Sequence, residues 1–199
     1  QKLDWPKLDV VTFSWQKVMG GEAAHGMIVL SPHAVARIES NRPAWPIPKV
    51  FRLAKDGKLI EGIFKGDTIN TPSMLAVEDY LDTLRWAESI NGQNANHARA
   101  DANARVIHDW VATSPWIGHL AADPATYSNT GVCLVITDSD VLAKGNAAVA
   151  SVANGIAETL ESEGVAFDIG AYRDAPAGLR IWCGATVEAS DLAALTPWL

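Results

Sequence analysis

Asp9-Val10-Val11-Thr12-Phe13-Ser14-Trp15-Gln16-Lys17-Val18-Met19-Gly20-Gly21 opens with β-branched and aromatic residues that favour a strand, then delivers one lysine into a short loop closed by paired glycines. A second apolar run, Gly26-Met27-Ile28-Val29-Leu30-Ser31, follows at once. Both runs read as strands buried on both faces, which puts Lys17 at the edge of a protected interior. A lysine after a strand is ordinarily a solvated surface residue. A partly desolvated one loses proton affinity and becomes a usable amine nucleophile, the property a Schiff-base lysine needs.

Working outward, 199 residues can bury a proper core in one domain or two small ones. A hydrophobic content of 48% with 20% charged residues is that of an ordinary soluble globular protein. The net charge of −7, with no basic run, argues against a nucleic-acid surface, although local arginines in a cleft could still hold a small anion. No apolar stretch approaches the roughly 18 residues of a membrane span, and neither a signal peptide nor a lipidation motif is visible, so a cytoplasmic location is expected. Cys133 and Cys183 each lie in an apolar strand-like run and read as buried free thiols of a reducing compartment. The histidines show no HxxxH spacing and the cysteines no CxxC, so no metal site is expected. Gln1 at the start, and Thr196-Pro197-Trp198-Leu199 closing the chain inside an apolar pattern, read as cuts through a larger protein.

Along the chain, Ser31-Pro32 reads as an N-cap and first-turn proline of a short helix with Val35 and Ile38 inward. Pro43, Pro46 and Pro48 make an extended connector. A hairpin is expected around Asp56-Gly57, between strands at Val50–Leu53 and Leu59–Ile60. Thr71 and Pro72 predict the cap and first turn of a helix that runs to about Ile90 with Met74, Val77, Leu81 and Leu84 inward; its free N-terminal amides would suit a phosphate. Asn91-Gly92-Gln93-Asn94 is the expected domain boundary, giving domains 1–92 and 93–199. A long helix follows, with Ala95, Ala98, Ala102, Val106 and Trp110 on one face and Pro115 as its stop. Strands are then expected at Val132–Thr137, Val165–Ile169 and Gly178–Gly184. Helices are expected over Val149–Leu160 and from about Ser190. The second half therefore reads as a small α/β sandwich.

The cationic candidates for chemistry are Lys17, Arg173 and Arg180. Alternation in Leu179-Arg180-Ile181 turns Arg180 away from the face that Leu179 and Ile181 share. If its own face borders a cleft, the planar fork suits a carboxylate; if it borders solvent, Arg180 is an ordinary surface residue. Arg173 lies in a turn-rich connector.

Ser14-Trp15-Gln16-Lys17-Val18-Met19-Gly20-Gly21-Glu22, followed by Ala24-His25-Gly26-Met27, resembles the cofactor-lysine segment of the phosphoserine aminotransferase family, in the form found in alphaproteobacteria and some archaea. Gly57-Lys58-Leu59-Ile60-Glu61-Gly62-Ile63-Phe64-Lys65-Gly66 and Asn70-Thr71-Pro72-Ser73-Met74 are similar to the same subgroup, and the matches extend over essentially the whole chain. Each motif is weak alone, and their order and spacing together make the resemblance specific. It implies the C-terminal part of the large domain of a pyridoxal 5′-phosphate (PLP)-dependent transferase of the aspartate-aminotransferase-like fold, followed by a small α/β domain. It implies that Lys17 holds PLP, that Gln16 hydrogen-bonds the cofactor phosphate, and that Asn70 and Thr71 reach the cofactor phosphate of the other subunit of a homodimer. It implies that Arg180 binds the substrate α-carboxylate and that Tyr172-Arg173, where better-known members carry His-Arg, lies near the substrate phosphate.

The implied reaction is amino transfer between phosphoserine and 2-oxoglutarate, with 3-phosphohydroxypyruvate and glutamate as the other pair. It serves serine biosynthesis and, in some relatives, vitamin B6 biosynthesis. The family's aspartate for the pyridine nitrogen lies about two dozen residues before the lysine, and Asp4 and Asp9 are too close to Lys17 to be its equivalent. The chain alone is therefore expected to bind PLP poorly and to be inactive. Two alternatives remain open: another small-substrate relative, such as an alanine–glyoxylate aminotransferase or a cysteine desulfurase, and a non-catalytic domain that only packs against partners. Cys133 and Cys183, both in strand-like runs, count against a desulfurase.

Overall fold

The computed structural model describes residues 2–23 and 25–199. Gln1, and Ala24 of the Ala24-His25-Gly26-Met27 run, lie outside the described residues. The chain divides into two compact units, Gln1–Trp86 and Ala87–Leu199.

In the first unit, β1 (Val10–Ser14) pairs antiparallel with β2 (Gly26–Leu30), setting Val11 opposite Val29 and Phe13 opposite Met27. The expectation that these strands are buried on both faces is not met: Val10, Phe13, Met27 and Val29 are exposed. The cause is topological. The ribbon has two strands only among the described residues, and two strands cannot supply the flanking strands and helical layers that cover a central sheet position. Helix α1 (Pro32–Ser40) starts as expected, its first turn closed by the Ser31 hydroxyl, which accepts from the Ala34 amide at 3.0 Å. The Ser31 hydroxyl in turn donates to the Asp9 carboxylate at 2.6 Å and ties α1 to the start of β1.

No strand forms at Val50–Leu53. A 3-10 turn at Lys49–Phe51 follows Pro48, and the hairpin is confined to β3 (Ala54–Lys55) and β4 (Lys58–Leu59). Its turn residues Asp56 and Gly57 both have positive φ (52° and 77°), as a type I′ turn requires. Helix α2 spans Met74–Ser89, and its cap is Ser73 rather than Thr71. The Ser73 hydroxyl and carbonyl accept from the Ala76 and Val77 amides, so Pro72 stays outside the helix. Met74, Leu81 and Leu84, expected inward, are exposed. The covered side is Ala76, Tyr80 and Thr83, because Tyr80 stacks on Trp15 and so fixes the rotation of the helix.

The second unit is α3 (Gly92–Thr113), β5 (Ile117–His119), β6 (Gly131–Ile136), α4 (Ser139–Leu142), α5 (Asn146–Ser162), β7 (Gly178–Trp182) and α6 (Ala189–Leu195). The strands form an antiparallel sheet in the order β5-β6-β7. Ile107 of α3, Leu160 of α5 and Leu192 of α6 pack against Ile117, Val132, Leu134, Leu179 and Ile181. Each such side chain contributes about 1.5–3 kcal/mol on burial.

Three expectations are corrected here. The inward face of α3 is Ala100, Asn103, Ala104 and Ile107, while Ala98 and Ala102 are exposed. Asn103 belongs in the core because its amide donates to the carbonyls of Cys183, Gly184 and Val187 at 3.3, 3.0 and 2.9 Å. Val165–Ile169 is not a strand: the Val165 and Ala166 amides turn back to the Leu160 carbonyl at the end of α5. Cys133 is exposed and only Cys183 is buried, since alternation along β6 spends the inward positions on Val132, Leu134 and Ile136.

Candidate active site

Lys17 opens a 3-10 turn (Lys17–Met19) directly after β1. Its φ is +67°, a left-handed conformation that costs a residue with a Cβ on the order of 1 kcal/mol. The loop is held in this shape from three sides. Gly20, at φ 68°, donates its N–H to the Lys17 carbonyl at 2.9 Å, and Gly21 donates to the Trp15 carbonyl at 2.9 Å. A Cβ on Gly21 would lie 3.1 Å from that Trp15 oxygen, so the paired glycines allow the loop to close on itself. Trp15 is the anchor. It is 8% exposed and sandwiched between Tyr80 of α2 (ring centroids 4.4 Å) and His25 (4.5 Å), both nearly parallel to it. Strain at Lys17 is thus supported by packing, the pattern found where a side chain must be presented in one direction.

Lys17 and Gln16 are both exposed, contrary to the protected edge expected for the lysine. The cause is the uncovered ribbon that carries them. Asn70 and Thr71 lie on the loop before α2 and line a cavity of about 750 Å³ together with His25, Gly26, Lys49 and Lys55; Lys17 does not line it. In the second unit, Arg180 on β7 lies over the Tyr172 ring, 5.6 Å from its centroid, and its Nη2 donates to Asp168 at 3.0 Å. Arg173 makes no ion pair or hydrogen bond among the described residues. The expected site residues therefore form two groups, Gln16, Lys17, Asn70 and Thr71 on the first unit and Tyr172, Arg173 and Arg180 on the second.

The first group fits two ends of PLP by its chemistry: a primary amine for the aldehyde, and two amides and a hydroxyl as neutral donors for a phosphate. Two buried atoms of the same stack, Trp15 Nε1 and His25 Nδ1, lack a hydrogen-bond partner among the described residues. An unpaired buried polar atom costs about 1–3 kcal/mol, so the ground beneath the lysine loop is polar and incomplete. Both aspartates before Lys17 are engaged elsewhere: Asp4 pairs with Lys7, and Asp9 is taken by Ser31 and His33. Those hydrogen bonds, Ser31 first and then His33, hold the Asp9 carboxyl below its usual range. Sequence reasoning missed Tyr80, which looked like one more helix residue, and Asp168, for which no sequence signal exists because its role depends on the pairing of 168–170 with β7.

The chain is 54% identical over 197 residues to the phosphoserine aminotransferase of Methanosarcina barkeri, covering 99% of this chain and 50% of that protein. It is 52% identical to the Methanosarcina mazei phosphoserine aminotransferase over the same shares. The chain thus spans about half the length of the curated relatives it matches. No model of a protein family matches it. Its fold is shared with solved phosphoserine aminotransferases. A PLP-bound one from Trichomonas vaginalis superimposes with a TM-score of 0.76 at 15% identity, covering 98% of this chain and 49% of that one. One from Bacillus circulans subsp. alkalophilus gives 0.71 at 16% identity, covering 98% and 47%. The α/β architecture is accordingly that of half a phosphoserine aminotransferase chain.

Proposed function

We propose that this chain is the lysine-bearing half of a PLP-dependent phosphoserine aminotransferase, which moves an amino group between phosphoserine and 2-oxoglutarate. The observation that carries the reading is Lys17 itself, an exposed amine set in a strained left-handed turn by Gly20, Gly21 and the Trp15 stack. The names of relatives more than 50% identical over the whole chain support the same assignment. Residues 1–92 are read as part of the large cofactor domain and 93–199 as the small C-terminal domain.

Bound beside Lys17, PLP would supply the electron sink that lets a Cα–H bond of an amino acid ionise. The protein's share is binding, orientation and proton movement. Lys17 would hold the cofactor through its amine and, freed by the incoming substrate amine, would serve as the base that takes the substrate Cα proton and the acid that returns it at the other end of a 1,3-shift. The Gln16 amide donates to the cofactor phosphate from the same subunit. The Asn70 amide and Thr71 hydroxyl donate to it from a second copy of the chain, which makes a homodimer the working unit. Arg180 takes the substrate α-carboxylate, and Arg173, with Tyr172 beside it, takes the phosphate end. The acid for the pyridine nitrogen would come from the other half of the protein's length, as would the cover for Phe13, Met27 and Val29 on the open ribbon. As an enzyme of amino-acid metabolism it would act in the cytoplasm.

A chimera in which this chain replaces the homologous half of the Methanosarcina barkeri relative tests the assignment. It should form glutamate from 2-oxoglutarate with phosphoserine as donor, and Arg173→Ala should raise KM for phosphoserine far more than for glutamate in the reverse half-reaction. Turnover of alanine in place of phosphoserine would assign the chain to an alanine–glyoxylate type instead.

A further inference from the structure

Arg180 is not an open cation. Its backbone N–H donates to the Ile169 carbonyl at 2.7 Å, and Gly170 is bridged to Leu179, so residues 168–170 run alongside β7. That register brings Asp168 to the guanidinium, where Oδ2 accepts from Nη2 at 3.0 Å. Asp168 has φ +53°, a left-handed backbone that residues other than glycine adopt at a cost and that Asp tolerates better than most. The two partners are unequally covered: the Arg180 side chain is 32% exposed and the Asp168 side chain 90% exposed. The guanidinium is therefore fixed between the sheet and Tyr172, while the acid stands in water and can leave. Arg173, five residues along from Asp168, has no such partner among the described residues.

We propose that Asp168 is a displaceable internal ligand of Arg180, which holds the guanidinium in place when the site is empty and competes with the carboxylate of an incoming amino acid or oxo acid. This rests on the reading of Arg180 as the carboxylate site. Binding there is an exchange of one carboxylate for another, so an incoming carboxylate gains only the difference between two similar charge-assisted pairs. An anionic group at Arg173 displaces nothing. Affinity for carboxylates is damped at Arg180, and the larger net gain falls to the phosphate end of the substrate.

The test uses the Methanosarcina barkeri chimera, isotopically labelled, with the Arg180 Nε–Hε resonance followed by NMR at low ionic strength while acetate or O-phosphoserine is added. Asp168→Gly keeps the left-handed backbone without a side chain, and Asp168→Asn keeps the backbone and a neutral acceptor without the charge. Exposed ion pairs are weak, so Asp168→Gly should lower the dissociation constant of both ligands by roughly 2- to 5-fold, with Asp168→Asn following in part. Dissociation constants that are unchanged or higher in Asp168→Gly, with Arg180 still shifting on titration, overturn the proposal alone. If phosphoserine shifts Arg180 in none of the three proteins, the carboxylate-site reading fails and the proposal fails with it.

Discussion

Replacing Asn103 by alanine should unfold the second unit far more easily than its polar character suggests. Asn103 is 2% exposed, and its amide faces three carbonyls at the C-terminal end of β7 and the loop beyond it. An NH2 group has two hydrogens, so the bonds to Gly184 and Val187 count fully and the longer one to Cys183 shares. Each buried carbonyl left without its donor costs about 1–1.5 kcal/mol, giving about 2–3 kcal/mol for Asn103→Ala. Asn103→Asp should lose more, because a carboxylate would face carbonyl oxygens with no proton between them. The Cys183 thiol is a built-in reporter: it is fully buried, its own carbonyl is one of the three acceptors, and burial pushes its pKa up to about 12. Pulsed alkylation of Cys183 across a urea series, read by mass, measures the opening of this unit alone. With a slope of about 1.5 kcal/mol per molar urea, the midpoint should fall by about 1.3–2 M for Asn103→Ala. A fall below about 0.5 M in both variants would refute the reasoning, since those carbonyls would then be satisfied without the amide.

Four further outcomes are expected. In the folded chain a thiol reagent should modify Cys133 quickly and Cys183 only after denaturation; equal rates would contradict the assignment of inward and outward positions on β6. The Asp9 carboxyl should titrate below the ordinary aspartate range and move back up in Ser31→Ala, because the Ser31 hydrogen bond is the leading cause of its shift. Its contribution to stability is present above the unfolded pKa near 3.9 and is lost as pH falls through the lower folded value. His108 Nδ1 and His119 Nε2 lie 3.2 Å apart, and burial pushes both pKa values down, so the pair stays neutral where a free histidine would charge. The second unit should therefore weaken as pH drops below about 6.5, and His119→Gln should flatten that slope in urea titrations at pH 7.5 and 5.5. Finally, the 199-residue chain mixed with PLP should give little borohydride-trapped label on Lys17, and strong labelling would show that its own residues complete the site.

The elements that were legible in the sequence were those whose signal is local. Ser31-Pro32 announced a helix start, Asp56-Gly57 a tight hairpin, and Val132–Thr137 a core strand, because capping, left-handed turns and strand burial act over a few residues. Faces and partners were less legible. Met74, Leu81 and Leu84 form a valid apolar stripe, yet Tyr80 meets Trp15, and the stripe is left facing outward on a chain that spans about half the length of its relatives. Ala98 and Ala102 read as inward because alanines suit a helix interface, whereas nothing local marks Asn103 as a core residue, because its three carbonyl partners lie some 80 residues away. In the candidate site, the identity of Lys17 could be read from its neighbours in sequence. Its left-handed backbone and the occupation of Arg180 by Asp168 depend on long-range pairing, which no local pattern records.

The proposed role of Lys17 as the cofactor-bearing residue can be tested on the protein directly. The direct measurement is to load the Methanosarcina barkeri chimera with PLP, reduce it with borohydride, digest it and locate the pyridoxyl group by mass. The group should lie on the Lys17 peptide and be lost in a folded Lys17→Ala variant. A pyridoxyl group on any other lysine, or glutamate formation that survives Lys17→Ala, would contradict it.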